Sequence, residues 1–401
     1  MLGKRVKHAV VPLLLVFSST HLTAQSGVSD PKASLRTKAL FDNLQSISGR
    51  QILLGHQDDL AYGVSWKGEP DRSDIHDVYG AYPSVFGWDL GELGKNARYN
   101  IDSVPFAMMR KYMRKAYAIG SINTLSWHVD NPRTGGDAWD TTTVVRDLLP
   151  GGPLHGKLRE QLDGVADYLK GLTNRGILGH KIPVIFRPWH ENTGNWFWWG
   201  SASCTPEEFI SLWRFTVDYL RKERNVKHLL YAFSPSSNYS SAEEYLRTYP
   251  GDEYVDVLGL DYYFHPYNLQ ESRQVLSDRL ALISRIAQER GKISALTETG
   301  YETIPDSAWW TQMLLPIIES NPESGRIAYL LVWRNAWSGQ RANHYYAPYP
   351  GHPSAADFIR FARHPRVALN DRMPDMYKRT KRESAPTGRS TDDSSPAEGR
   401  N

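Results

Sequence analysis

The sequence predicts one α/β domain, a single (β/α)8 TIM barrel with its active site at the carboxyl-terminal ends of the strands. Three observations support this fold class. Eight short apolar runs recur along the chain, and amphipathic segments lie between several of them. The first run is followed by residues 55–59, Gly-His-Gln-Asp-Asp, where a dinucleotide-binding sheet would carry a glycine-rich phosphate turn. A doubly wound open sheet, the structural alternative, is therefore disfavoured.

The strand candidates are short runs of apolar and β-branched residues, each ending in a polar or aromatic cluster. Such runs are typical of strands that are buried on both faces of a parallel sheet. The eight candidates are residues 51–55, 84–88, 122–127, 182–187, 228–233, 255–260, 293–297 and 327–333. Eight strand–helix units close naturally into a barrel.

Helices are predicted where apolar residues are spaced three and four positions apart. At residues 205–208, Thr-Pro-Glu-Glu, a capping Thr, a Pro at the first helical position and two acids near the positive end of the helix dipole mark a helix start. Because strands and helices alternate, the strands are expected to be parallel. The clearest helical segments are residues 161–172, 206–223, 274–289 and 309–318.

The two ends of the chain are predicted to lie outside the folded domain. Residues 1–24 combine a positive start, an apolar run and small residues before the expected cleavage point, a pattern typical of a signal peptide. The protein is therefore expected to be exported, to the periplasm or the cell exterior. Residues 378–401 contain no large apolar side chain and are predicted to form a disordered tail. The folded domain is then residues 25–377.

Charge and composition exclude several classes of partner. The chain has a net charge of +3, but the predicted signal peptide contributes three positive charges and the tail two, which leaves −2 for residues 25–377. Binding to nucleic acid is therefore not expected. No later stretch approaches the roughly 20 apolar residues of a membrane helix, so no membrane partner is expected. The single cysteine, Cys204, excludes an intramolecular disulfide, and a monomer is expected.

The residues that end the apolar runs are rich in Trp, His and Asp, and a barrel of this kind builds its active site at those ends. The chain also contains 13 Trp and 22 Tyr. A sugar-binding cleft requires such aromatic surface, because the C–H faces of a pyranose stack on flat rings. The clusters are His56-Gln57-Asp58, Trp88-Asp89, Trp127-His128, Arg187-Pro188-Trp189-His190-Glu191, Ser234-Pro235, Asp261-Tyr262-Tyr263, Glu298-Thr299 and Trp333-Arg334.

Two carboxylic acids, Glu191 after the fourth strand and Glu298 after the seventh, are the candidate catalytic residues. Glycoside hydrolysis with retention needs one acid to protonate the leaving oxygen and one carboxylate, about 5 Å away, to attack the anomeric carbon. Tyr263 shares a strand face with Asp261 and would donate a hydrogen bond to Glu298, which suits a nucleophile. Crowding by aromatic residues between Trp189 and position 199 would raise the pKa of Glu191, which suits an acid.

Four motifs resemble those of glycoside hydrolase family 26. They are residues 187–191, Arg-Pro-Trp-His-Glu, with Trp196 shortly after; residues 259–263, Gly-Leu-Asp-Tyr-Tyr; residues 297–300, Thr-Glu-Thr-Gly; and residues 332–335, Val-Trp-Arg-Asn. The resemblance covers most of residues 35–375. It implies a (β/α)8 barrel, a retaining mechanism and, for most members, endo-acting β-1,4-mannanase activity without a cofactor, with β-mannan as the polysaccharide partner.

Carried over residue by residue, the resemblance makes Glu191 the acid/base and Glu298 the nucleophile. Among the implied substrate contacts, His190 and Trp196 would bind sugar beside the acid, and Tyr263 would contact the nucleophile. The contacts along the substrate side of the cleft would be His128, Trp333 and Arg334.

Alternatives remain open within the same fold. Some relatives release mannobiose from chain ends, and others act on mixed-linkage glucan or xylan. Residues 55–63 and 130–153 are interpreted as cleft-shaping loops, and a long loop can close one end of a groove. A second class of function is a barrel without activity that binds polysaccharide on its aromatic cleft. Arg187 is interpreted either as a functional residue of the site or as a purely structural ion-pair partner that fixes a carboxylate.

A metal site at the barrel mouth is a further possibility, because metal hydrolases on this fold use histidines and carboxylates from the strand ends. The first strand lacks the His-x-His spacing that aims two imidazoles at one ion, and no pair of cysteines is present. The sequence therefore predicts no metal ligands.

Overall fold

The computed structural model describes residues 27–94, 97–174 and 179–379. Eight parallel strands form a closed barrel in which each strand pairs with the next along the chain, and β8 pairs with β1 through Leu53 and Tyr329. The predicted fold class is confirmed. The strands are β1 Ile52–Gln57, β2 Val85–Asp89, β3 Ile122–Ser126, β4 Val184–Arg187, β5 Leu229–Phe233, β6 Val257–Phe264, β7 Ile293–Tyr301 and β8 Tyr329–Val332.

Strands β6 and β7 extend beyond the predicted ends at residues 260 and 297. Their register shifts at Leu260 and Asp261, and beyond that point Asp261 pairs with Glu298. Glu298 therefore lies inside β7, and the prediction that it follows the strand is wrong. The strands continue because the backbone groups of these aromatic and polar residues keep pairing with each other at the barrel mouth.

The helices lie between the strands and cover most of each predicted segment, although the helix of the first segment ends at Lys170 and the segment predicted at 309–318 begins with a π-helical turn at Trp310. The helix predicted at 161–172 begins six residues earlier, at His155, and the one predicted at 274–289 begins at Leu269. In chain order, the helices among the described residues are Leu35–Ile47, Asp74–Tyr79, Phe106–Ala118, Val145–Leu148, His155–Lys170, Pro206–Asp218, Ala242–Leu246, Leu269–Glu289, Leu315–Glu319 and Ala355–Arg363, with π-helical turns at Tyr219–Glu223 and Trp310–Leu314 and a 3-10 turn at Ser324–Arg326.

Two further short pairings complete the described strands. Tyr62–Gly63 and Trp66–Lys67 form an antiparallel hairpin in the loop after β1, and Val367–Ala368 pairs with β1.

The predicted helix start at Thr205 is confirmed: the Thr205 hydroxyl and the Glu208 carboxylate form a reciprocal capping box, with Pro206 at the first helical position.

The hydrophobic core has two layers. One lies between the strands and the helices; the other fills the barrel interior and continues at the amino end of the barrel, where Leu40, Phe41 and Leu44 of the first helix are fully buried. This inner layer also includes Met376 and Tyr377 near the end of the described residues. Closing one end of the barrel with apolar side chains leaves the opposite end free for polar chemistry.

The two predicted terminal segments fall almost entirely on residues that the structure leaves undescribed. The predicted signal peptide, residues 1–24, lies outside the described residues, as does the predicted tail except for Lys378 and Arg379. None of the helices among residues 27–379, gaps at 95–96 and 175–178 aside, is long and apolar enough to cross a membrane.

Candidate active site

A cavity of about 540 Å³ opens at the carboxyl ends of the strands. Seven of the eight residues predicted from the sequence line it, although they come from five different strand ends. These seven are His128, His190, Glu191, Trp196, Tyr263, Glu298 and Trp333.

Glu298 is held by two donors, one from the neighbouring strand β6 and one from β4. The Tyr263 hydroxyl donates to Oε1 at 2.6 Å, as the strand alternation predicts, and the Arg187 guanidinium donates to Oε2. Arg187 also donates to Asp261 at 2.5 Å. Burial opposes the charge of Arg187, but the two carboxylates raise its pKa above the ordinary value. A permanent cation therefore faces the Glu298 carboxylate.

The contacts of Arg187 show which of its two predicted roles it has. Its side chain is 2% exposed and binds two carboxylates at once. A guanidinium that binds one carboxylate through each of its two terminal nitrogens fixes the orientation of both partners. Arg187 is thus the ion-pair partner that positions Glu298.

Glu191 sits at the end of a tight turn that follows β4. Its backbone is left-handed, with φ of +54°, and its N–H donates to the Ser234 carbonyl at 2.7 Å. The Trp196 indole N–H donates to the Glu191 carboxylate at 2.7 Å. Withdrawal from water, and then the charge of Glu298, raise the pKa of Glu191 to about 7. Glu191 therefore holds a proton up to neutral pH.

Two histidines continue the site from β3 and β4. His128 Nδ1 lies 2.8 Å from Asp89, whose charge raises the pKa of His128 despite burial. The pKa of His190 is well below its usual value, because of burial first and of the nearby cations Arg187 and His128 next. The facing Nε2 atoms are 3.2 Å apart. A charged His128 that donates to a neutral His190 satisfies this contact.

Aromatic rings enclose the cavity beside the histidines. Trp139 stacks on His128 with ring centroids 5.3 Å apart and an interplanar angle of 16°. Phe197 and Trp333 each meet His128 edge-on. The sequence did not single out Trp139 or Phe197 as binding residues, although Trp139 belongs to the loop 130–153 that was interpreted as shaping the cleft.

The other side of the cavity is formed by the loops after β5 and β6, and the sequence did not predict it. Its residues are polar or aromatic and several are exposed. They are Ser236, Ser237, Asn238, His265, Tyr267 and Asn268. The one available signal was the aromatic and His content of residues 263–267, directly after a predicted strand.

Arg334 is the predicted site residue that does not line this cavity. Its Nε donates to Asp102 at 2.9 Å, and its guanidinium packs against the ring of Tyr62. The Tyr62 hydroxyl in turn donates to Asp58 at 2.6 Å. Burial first, and then the nearby charge of Asp102, raise the pKa of Asp58 well above its usual value. Arg334 thus belongs to a buried polar network behind Trp333.

The described part of the chain contains no group of three or more His, Cys, Asp or Glu side chains arranged to hold a metal ion. The side chains that line the cavity define the chemistry described here for it. These supply one proton donor with a pKa near neutrality and one carboxylate beside a fixed cation.

Comparison with known proteins identifies the family to which this chain belongs. The model of glycosyl hydrolase family 26 matches residues 29–310. The chain belongs to glycosyl hydrolase family 26. The family resemblance predicted from the four motifs is confirmed by this match, which spans β1 to β7 and both glutamates.

Solved structures of family 26 have the same fold as this chain. A GH26 β-mannanase from Bacteroides ovatus is 45% identical, with a TM-score of 0.83, over 88% of this chain and 99% of that one. A modular endo-β-1,4-mannanase from Cellulomonas fimi is 37% identical, with a TM-score of 0.81, over 88% of this chain and 80% of that one.

Among curated proteins, a mannan endo-1,4-β-mannosidase from Bifidobacterium adolescentis is 34% identical over 375 residues. The match covers 87% of this family 26 chain but 36% of that protein, so the chain spans about a third of its length.

Proposed function

We propose that this chain hydrolyses β-1,4-mannosidic bonds in mannan, glucomannan or galactomannan, with retention of configuration at the anomeric carbon. One observation carries the proposal. A glutamate beside a fixed cation, Glu298, shares a cavity with a glutamate whose pKa is raised to about 7, Glu191. A double displacement needs this division between an ionised nucleophile and a protonated acid.

In the first step, Glu298 attacks the anomeric carbon while Glu191 gives its proton to the departing glycosidic oxygen. In the second step, Glu191, now a carboxylate, takes a proton from the water that cleaves the glycosyl–enzyme bond. The hydrogen bond from Tyr263 and the ion pair with Arg187 aim Glu298 at the reacting carbon. Neither step calls for a cofactor.

The sugar contacts in this proposal come from residues around the two acids. His190 and Trp196 lie beside Glu191, and His128 and Trp333 provide a polar edge and a flat face on the other side. Arg334 would act through the network behind Trp333. Support for mannan as the substrate comes from the names of the relatives, which are mannanases or mannan endo-1,4-β-mannosidases.

The substrate and the mechanism can be tested together. Purified protein is incubated with unsubstituted mannan, glucomannan, mixed-linkage β-glucan and xylan, and reducing ends and viscosity are followed in parallel. We expect turnover on the two mannans, with viscosity falling early as internal cleavage requires. Proton NMR of the first product should show the β-anomer; an α-anomer would contradict double displacement.

The same assay separates the alternatives. Greater activity on mixed-linkage glucan or xylan would reassign the substrate, and release of mannobiose without an early loss of viscosity would indicate action at chain ends. Binding to mannan without new reducing ends would indicate a polysaccharide-binding barrel.

We further propose that the chain is exported after removal of residues 1–24 and acts as a monomer. The signal-like composition of the first residues supports export. Amino-terminal sequencing of the protein secreted by its host, expected to begin at Gln25, and its mass in solution test the two proposals.

A further inference from the structure

The two proposed catalytic residues divide the mouth of the barrel into two halves. Glu191 follows β4 and Glu298 lies in β7, so the loops after β5 and β6 lie on one side of the line that joins them. The ends of β8, β1, β2 and β3 lie on the other side. A polysaccharide whose reacting bond lies between the two glutamates must extend over both halves.

The two halves differ in how well they exclude water. On the β8-to-β3 side, His128 is buried beneath the ring of Trp139, which is 47% exposed, and also contacts the buried ring of Phe197 from the loop after β4. On the β5–β6 side, His265 and Tyr267 are exposed, and Tyr267 is 85% exposed. The sugar that develops positive charge at its anomeric carbon needs a dry, fixed surrounding, while the leaving group needs a route out. The open half therefore suits the leaving sugar.

Tyr267 presents a flat face in that open half. Its ring lies parallel to the ring of His265, at 6° with centroids 4.9 Å apart, and both rings line the cavity. A single exposed aromatic side chain is common on protein surfaces. The Tyr267 ring is instead stacked on a neighbouring imidazole at the edge of a catalytic cavity, which holds the ring in one orientation while most of its surface stays free to contact a pyranose ring.

The turn that carries the pair is fixed at both ends. The Asn268 side chain accepts a hydrogen bond from the His265 N–H at 2.7 Å and donates one to the Tyr263 carbonyl at 3.1 Å. Tyr263 is the residue that binds Glu298. The position of the ring pair is thus tied to the catalytic centre, which reduces the entropy lost on binding a sugar.

We propose that Tyr267, supported by His265, is a stacking platform for a sugar on the leaving-group side of the cleft, and so helps to determine the preferred chain length. This inference rests on the proposed mannan hydrolysis. The stacking energy of an aromatic face predicts that removal of the ring lowers kcat/KM by about fivefold on substrates that reach the platform.

The test compares a substrate that has sugars on the leaving side with one that has none. Mannopentaose places sugars there, whereas β-mannobiosyl fluoride has a single leaving atom and leaves that side empty. For Tyr267→Ala we expect kcat/KM to fall about fivefold on mannopentaose and less than about twofold on the fluoride. Tyr267→Phe, which keeps the ring, should match the unaltered chain on both. Tyr254→Ala removes a tyrosine ring before β6, at the opposite end of the barrel, and serves as the control.

Three results would overturn the platform: no loss on mannopentaose, an equal loss on both substrates, or the same loss for Phe as for Ala. Absence of turnover by the unaltered chain on both substrates would refute the proposed function instead. In that case, calorimetry with mannopentaose tests the platform. Weaker binding to Tyr267→Ala than to Tyr267→Phe supports the platform, and equal binding refutes it.

Discussion

The two glutamates of the cavity have opposite electrostatic surroundings. Arg187 and Tyr263 both donate to Glu298, whereas Glu191 is withdrawn from water and faces the charge of Glu298. Environment alone can thus give the same side chain two protonation states at one pH. This difference predicts that mutations of the two glutamates affect different substrates.

Replacement of each glutamate should affect substrates differently. Glu298→Gln removes the nucleophile, and we expect turnover of every substrate to fall by at least about 1000-fold. Glu191→Ala removes the proton donor, so mannan turnover should fall strongly while the first step on an aryl mannobioside with an activated leaving group persists. A burst of the released phenol measures that step. Equal losses on mannan and on the aryl substrate in Glu191→Ala would contradict the roles.

The raised pKa of Glu191 sets the expected pH dependence. Its proton is needed in the first step, so kcat/KM on mannopentaose should fall as the pH rises through about 7. The Trp196 N–H stabilises the carboxylate form and lowers the pKa. Trp196→Phe should therefore move the alkaline limb to higher pH.

The activated aryl mannobioside is the control for this profile. Its leaving group needs no proton, so its alkaline limb near pH 7 should disappear. A limb at the same pH on both substrates would assign it to a group other than Glu191.

At the scale of elements, the turn after β4 shows how the fold positions the proposed acid. Trp189 and Glu191 both have positive φ, at 51° and 54°, a conformation that costs non-glycine residues about 1 kcal/mol or more each. Three hydrogen bonds compensate for this cost. The Trp189 indole N–H donates to the Thr216 hydroxyl, the Glu191 N–H to the Ser234 carbonyl, and the Trp199 indole N–H to the His190 carbonyl. Strand periodicity cannot predict such a turn, because its geometry depends on partners distant in the sequence.

The hairpin after β1 is held by a single buried carboxylate. Asp74 accepts hydrogen bonds from the Val64 N–H, the Trp66 indole and the Asn335 amide. Asp74→Ala removes the acceptor of all three hydrogen bonds and leaves the buried Trp66 indole N–H without a partner. We expect the free energy of unfolding to fall by about 3 kcal/mol. Chemical denaturation measures the loss.

Asp77→Ala, in the same helix, provides the matched comparison. Asp77 pairs with Arg72 at the surface, where such a pair contributes less than about 1 kcal/mol. A similar loss for the two variants would show that the hydrogen bonds of Asp74 do not stabilise the hairpin.

For the whole molecule, the features predicted from the sequence are those that local patterns encode. The eight strands follow from apolar runs, and the contact of Tyr263 with Glu298 follows from strand alternation. Arg334 shows the limit of a motif: it neighbours Trp333, but successive side chains at a strand end point in different directions, and Arg334 lies behind the cavity wall. Trp139 and Tyr267 lie in loops without periodicity, so only the folded path of the chain brings them to the cavity.

The division of the barrel into a polar mouth and an apolar base separates stability from catalysis. Phe41, in the first helix, is fully buried in the inner core at the amino end. Phe41→Ala should lower the free energy of unfolding by about 3–5 kcal/mol and leave kcat/KM on mannan unchanged at temperatures where the variant is folded. Leu35→Ala, at a position that is 73% exposed in the same helix, should change neither quantity. Thermal unfolding and initial rates on the three proteins measure both. A fall in kcat/KM of the folded Phe41→Ala protein would show that side-chain packing at the amino end of the barrel affects catalysis at the carboxyl end. Stability and catalysis would then not be separate.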